Sequence, residues 1–90
     1  MKVVIWMLTE LPNIGPIVAQ QLNAVGIFTK DDLASVGSEE AWLRIQKIDP
    51  SACYNRLCAL EGAIQGLRWH NLKQEDKLRL KLFYEEHQLR

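Results

Sequence analysis

The sequence has almost no excess charge of either sign. Its 90 residues carry 11 lysines and arginines against 11 aspartates and glutamates. That balance excludes the simplest nucleic-acid signature, a strongly basic domain, and argues against an acidic mimic or a polybasic membrane binder. Cysteine is scarce as well. Cys53 and Cys58 are five apart, and on one helix that spacing points them in different directions, against an intrachain disulfide. There is no CxxC, and His70 and His87 share none of the usual zinc-site spacings with the cysteines. The two thiols therefore read as small, reduced side chains suited to the cytoplasm, and neither a metal nor a cofactor is expected.

Long apolar runs are missing. The longest, Val3 to Leu8, follows Met1-Lys2, is shorter than a signal-peptide core and meets Glu10 almost at once. Nothing approaches the roughly 20 apolar residues that span a bilayer, so no membrane partner is expected. The motifs of common enzymes are also absent. Ser35, Ser38 and Ser51 are the only serines, none in a nucleophile elbow, and neither a P-loop nor a dinucleotide GxGxxG occurs. The chain reads as non-enzymatic.

What is present is an ordinary globular composition, 48% apolar and 24% charged, long enough for one domain and too apolar for disorder. No repeat or linker divides it. The expected layout is an N-terminal arm or short first helix over 1–10 and a single helical domain over 11–90. The expected fold is all-α, a compact bundle of about five helices.

The helix boundaries follow from punctuation. Pro16 fits the first position of a helix carrying Ile14, Val18, Leu22 and Val25 at helical spacing, closed by Gly26. Thr29 and Asp32 fit a capping box for a short helix ended by Gly37, with Phe28, Leu33 and Val36 inward. Ser38 is the next N-cap candidate, with Glu39 and Glu40 in the first turn and Trp42, Ile45 and Ile48 as the apolar face.

Asp49-Pro50 then predicts a cap and first-position proline. The helix it opens has the clearest amphipathic stripe in the chain: Cys53, Leu57, Leu60, Ile64 and Leu67. Gly62 and Gly66 each cost roughly 1 kcal/mol inside a helix. Either a close helix–helix approach explains them, or Gly66 simply ends the helix. Asn71 and Gln74 suggest a cap for a last helix from about Leu72 to His87, with Leu78, Leu82 and Leu89 on one side and Phe83 adjacent. Lys77 to Leu82 alternates as a strand would, but flanks rich in Lys, Gln and Glu favour helix. Trp69, between two helices, fits a residue that closes the core across the turn, or a stacking surface for a partner.

One segment carries a functional hypothesis. Leu11-Pro12-Asn13-Ile14-Gly15-Pro16, followed by Ala19 and Leu22, resembles a helix-hairpin-helix. In that motif, loop N–H groups and a helix N-terminus face a nucleic-acid phosphate without reading sequence. Asn13 stands where such loops carry glycine, and asparagine tolerates the positive φ. Ile17 stands where DNA-binding members are often basic. The candidate contact residues are Asn13, Ile14, Gly15 and Ile17, with Lys77 and Lys81 four apart in the only basic region. Residues 30–66 carry four basic and six acidic side chains, whereas residues 67–90 carry six and four. DNA contact through so few cations is expected to be weak and salt-sensitive. The same hairpin is also a stable purely structural joint between helices. Val3, Val4, Ile5 and Trp6, if outside the core, form an apolar segment needing cover, which predicts a partner contact or homodimer through the arm.

These signals also occur in a recognisable order: the hairpin segment, Val25-Gly26-Ile27 with Thr29 and Asp32-Leu33, Val36-Gly37, then Pro50, Cys53, Leu57, Ala59-Leu60-Glu61-Gly62-Ala63-Ile64, Gly66 and Trp69. From about Leu11 to Tyr84 the chain resembles the C-terminal domain of the TfoX/Sxy family, bacterial competence regulators. The resemblance implies a compact all-α domain regulating genes for natural DNA uptake, acting beside a transcription factor. It implies no catalytic residues. Regulators of this type carry a further domain ahead of this one, so the resemblance implies either a freestanding version or a fragment.

Overall fold

The computed structural model describes residues 8–88. Leu8 and Thr9 are helical and lead through a turn into α1 (Pro16–Ala24). There follow α2 (Lys30–Val36), α3 (Ser38–Ile48), α4 (Tyr54–Gln65), a 3-10 turn over Trp69–Asn71, and α5 (Gln74–His87). Every regular element among the described residues is helical, and Lys77 to Leu82 lies inside α5.

The helix ends follow local chemistry. Pro16 opens α1, and Gly26 at φ 87° closes it, with the Ile27 N–H reaching back to the Leu22 carbonyl at 2.8 Å. That six-to-one bond is the Schellman closure, and it turns Ile27 wholly into the core. At α2 the capping box is complete: the Asp32 N–H donates to Thr29 Oγ1 at 3.0 Å, and the Thr29 N–H donates to Asp32 Oδ2 at 3.2 Å.

α4 is the central helix, packed on α3, α5 and the 3-10 turn, while α1 and α2 pack on α3. Trp42 of α3 fills the middle. It is fully buried, and its indole N–H donates to the Cys53 carbonyl at 3.1 Å. Its ring meets Phe83 and Tyr84 of α5 edge-on, with centroids 6.2 and 5.7 Å apart, the geometry that aromatic quadrupoles favour. Leu8, Ala19, Leu22, Leu33, Ile45, Leu57, Leu60 and Leu80 complete the core.

Four boundaries or faces differ from the sequence reading. Asp49-Pro50 does not open α4, which starts at Tyr54. The Asp49 carboxylate is spent on its own turn: Oδ1 accepts from the Ser51 N–H at 3.1 Å, and the Ala52 N–H bonds the Asp49 carbonyl at 3.0 Å. Pro50 thus takes the second position of a turn, where its fixed φ suits equally well. Ser38 does not cap α3 with its side chain. Gly37 is the N-cap, and the buried Ser38 hydroxyl instead donates to Glu61 Oε1 at 2.6 Å. Asn71 is absorbed in the 3-10 turn, and Lys73 precedes α5.

The largest difference is the face of α5. Leu80 is fully buried, while Leu78 and Leu82 are 59% and 53% exposed. The inward stripe is Lys77, Leu80, Phe83, Tyr84 and His87, spaced as one helical face. Leu78 and Leu82 share the opposite face, and Leu89 lies outside the described residues. Two flanking expectations fail similarly: Ile48 and Cys53 are exposed, and the buried stripe of α4 runs through Leu57, Cys58, Leu60 and Ala63.

Candidate functional site

The loop 10–15 is held by one side chain. Asn13 has φ 70°, the left-handed conformation that asparagine accepts better than most residues. Its amide Nδ2 donates to the Leu67 carbonyl at 2.9 Å and to the Ala59 carbonyl at 3.4 Å, and its Oδ1 accepts the Trp69 N–H at 3.1 Å. The amide therefore staples the N-terminal loop to the end of α4 and the start of the 3-10 turn. Gly62 makes room for it. A Cβ at Gly62 would lie 2.6 Å from Asn13 Nδ2 and 2.7 Å from the Leu67 carbonyl oxygen. This accounts for a glycine in the middle of α4. Gly66, at φ 75°, is the plain helix terminator.

The end of the loop faces outward. Gly15 and Pro16 are exposed, Ile17 is 69% exposed, and Ile14 is buried. A Cβ at Gly15 would meet open space. Lys77 and Lys81 lie elsewhere, along a cavity of about 580 Å³ shared with Tyr54, Gln74 and Leu78. The Lys77 ammonium donates to the His70 carbonyl at 2.9 Å. Asn13 borders a different cavity, so the structure does not bring the loop residues and the two lysines to one site. Val3, Val4, Ile5 and Trp6 lie outside the described residues.

Asp49 is the main electrostatic hub. Besides Ser51, its Oδ2 accepts from Gln21 Nε2 of α1 at 2.8 Å and pairs with Arg56 Nη1 of α4 at 2.7 Å. The Ser51 hydroxyl first, then Arg56 and Gln21, hold its carboxyl far below the usual carboxylate range. A second network lies on the other side of α4. Arg79 of α5 reaches Glu39 at 3.3 Å, and Glu61 and Asp76 at 3.6 Å each. These partly exposed pairs orient α3, α4 and α5 but add little stability. Burial pushes the Cys58 thiol up, and it pushes the Tyr54 phenol up to about 12 while its hydroxyl donates to the Lys77 carbonyl at 3.0 Å. Both groups are neutral structural side chains. Among the described residues, no three His, Cys, Asp or Glu side chains are placed to hold a metal ion. No described helix is long and apolar enough to cross a membrane.

Sequence reasoning missed two features. One is the outward pair Leu78 and Leu82. The other is the cavity that Asn13 borders, about 360 Å³ and lined also by Arg56, Arg68 and Trp69. No local signal marked the second, because its lining residues come from positions between Asn13 and Trp69 that are far apart in the chain.

With this geometry in view, the model of the TfoX C-terminal domain matches residues 6–84. The chain belongs to the TfoX C-terminal domain family. Two crystal structures of uncharacterised proteins from Listeria monocytogenes are similar. The triclinic form has 51% identity and a TM-score of 0.86, covering 88% of this chain and 90% of that one. The tetragonal form has 51% identity and a TM-score of 0.85, covering 88% and 96%. No curated protein matches the chain. The family is one of regulatory domains.

Proposed function

We propose that this TfoX C-terminal domain is a non-catalytic regulatory adaptor that works by docking on a protein partner, of the transcription-factor kind the family implies. The observation that carries the reading is the face of α5. Leu78 and Leu82 stand one helical turn apart on the outside of a helix whose other side is in the core, bordered by Lys81 on one flank and by Glu75, Arg79 and Glu86 on the other. An exposed apolar pair with charges of both signs at its rim suits an apolar partner segment with a mixed-charge border. The test is complementation in the source organism, with transcripts of DNA-uptake genes as the readout. Wild-type protein restores the transcript pattern of a deletion strain, whereas Leu78→Asp/Leu82→Asp, folded by circular dichroism, does not. Full restoration by the double variant, or an unchanged pattern in the deletion strain, overturns the proposal.

A second reading, weak sequence-independent contact with a DNA phosphate, is favoured by the open space around Gly15 and the acid-free first turn of α1. Labelled duplex DNA titrated at low and physiological salt tests it. Binding at low salt that falls steeply with added salt and disappears in Gly15→Val supports it, and no salt-sensitive binding at micromolar protein removes it.

A further inference from the structure

The cavity of about 360 Å³ between the N-terminal loop, α4 and the 3-10 turn has a composition unlike the rest of the surface. Arg56 and Arg68 both line it, Trp69 and Asn55 contribute a ring and an amide, and no carboxylate lines it. Among the described arginines, Arg44 pairs with Glu40, Arg79 with three acids and Arg56 with Asp49, which leaves Arg68 as the one without an ion pair. Arg68 has no side-chain partner among the described residues and is exposed at the rim. Arg56 gives one N–H to Asp49, which fixes its guanidinium and leaves its other donors free. The Asn13 staple fixes the backbone at Trp69, and the indole is stacked on the His70 ring with centroids 4.3 Å apart, which holds it at the wall.

We infer that this cavity binds a small phosphorylated ring compound of the mononucleotide type. The guanidinium of Arg68, backed by Arg56, takes the phosphoryl oxygens, and Trp69 with Asn55 takes the ring. Planar, forked donors match phosphate geometry better than a point charge does. The volume also exceeds what a lone inorganic phosphate would fill, leaving room for the ring. The assignment is independent of the α5 docking face, which lies along other cavities.

The experiment is an NMR titration of the intact chain with adenosine 5′-monophosphate, and in parallel with adenosine and with inorganic phosphate. The monophosphate is expected to shift the Arg68 and Trp69 amides and the Trp69 indole resonance, binding at least several-fold tighter than either part alone. Arg68→Ala removes a charge-assisted contact at an exposed position and is expected to weaken binding about tenfold. Lys47→Ala, at the end of α3, is the control and leaves affinity unchanged. Three outcomes overturn the inference: no saturable shift from the monophosphate, equal binding of adenosine alone, or unchanged affinity in Arg68→Ala. Binding of inorganic phosphate as tight as the monophosphate overturns the ring assignment and reduces the site to a simple anion pocket.

Discussion

Alanine at Gly62 is the sharpest probe of the packing, because two effects oppose each other there. In an ordinary helix interior the change stabilises by about 1 kcal/mol, since glycine gives up more backbone freedom on folding. In α4 the new methyl would fall 2.6 Å from Asn13 Nδ2 and 2.7 Å from the Leu67 carbonyl oxygen. The Asn13 amide can retreat only by giving up its bonds to Leu67 and Trp69, at about 1 kcal/mol each. The Leu67 carbonyl is main chain, and the Leu67 N–H is itself tied to the Gly62 carbonyl at 2.8 Å. Moving it costs about 1–3 kcal/mol, as overpacking does elsewhere. The sum is a net destabilisation of about 2–4 kcal/mol, a fall in melting temperature of roughly 10–25 °C for a domain of this size. Urea and thermal unfolding followed by circular dichroism measure it. Asn13→Gly separates the parts: it suits the positive φ and relieves the amide clash, so Gly62→Ala should cost less in that background than in wild type. A melting temperature that is unchanged or raised in Gly62→Ala refutes the close-approach account of this glycine.

Other expected outcomes follow from burial and charge. Leu80→Ala should cost about 2–5 kcal/mol in urea unfolding, while Leu78→Ala and Leu82→Ala stay within about 0.5 kcal/mol of wild type. Equal losses at all three would mean that α5 is rotated. The depressed carboxyl of Asp49 stabilises the fold above its ordinary unfolded value near 4, and that contribution is lost as pH falls towards the folded value. The stability gap between wild type and Asp49→Asn should therefore be full at pH 6 and shrink below about pH 4, and a pH-independent gap would contradict the hub. Alkylation by iodoacetamide should label exposed Cys53 rapidly and spare buried Cys58 until the chain unfolds. Peptide mapping of the modified thiols decides this.

Much of the fold was legible because local rules and tertiary packing agree. Pro16, Gly26, the Thr29 and Asp32 pair and Gly37 each fix a helix end through interactions within a few residues, and each stands where the spacing predicts. Legibility failed where a side chain has a long-range partner. Asp49 was read as a cap, but it is claimed by Gln21 and Arg56. Ser38 was read as a cap, but it is claimed by Glu61. The face of α5 was misread because Leu78, Leu80 and Leu82 are chemically alike, and only the seating of Phe83 and Tyr84 against Trp42 selects which of them turns inward. In the candidate site, the strained loop position at Asn13 was readable from residue type. Its clamp on Leu67 and Trp69 was not, because nothing local marks a bond across more than fifty residues. The cleft with Arg56 and Arg68 is likewise assembled from separate parts of the chain.

The Asn13 staple also joins the N-terminal loop to a segment that lies far along the chain. Its bond partners at Ala59, Leu67 and Trp69 lie 46 to 56 positions further on. The N-terminal loop therefore gains its anchor only after α4 and the 3-10 turn have formed, a closure that carries the entropy of a long loop. A fragment ending before Trp69 leaves the Asn13 amide, the Gly62 notch and the neighbouring cleft without their shared wall.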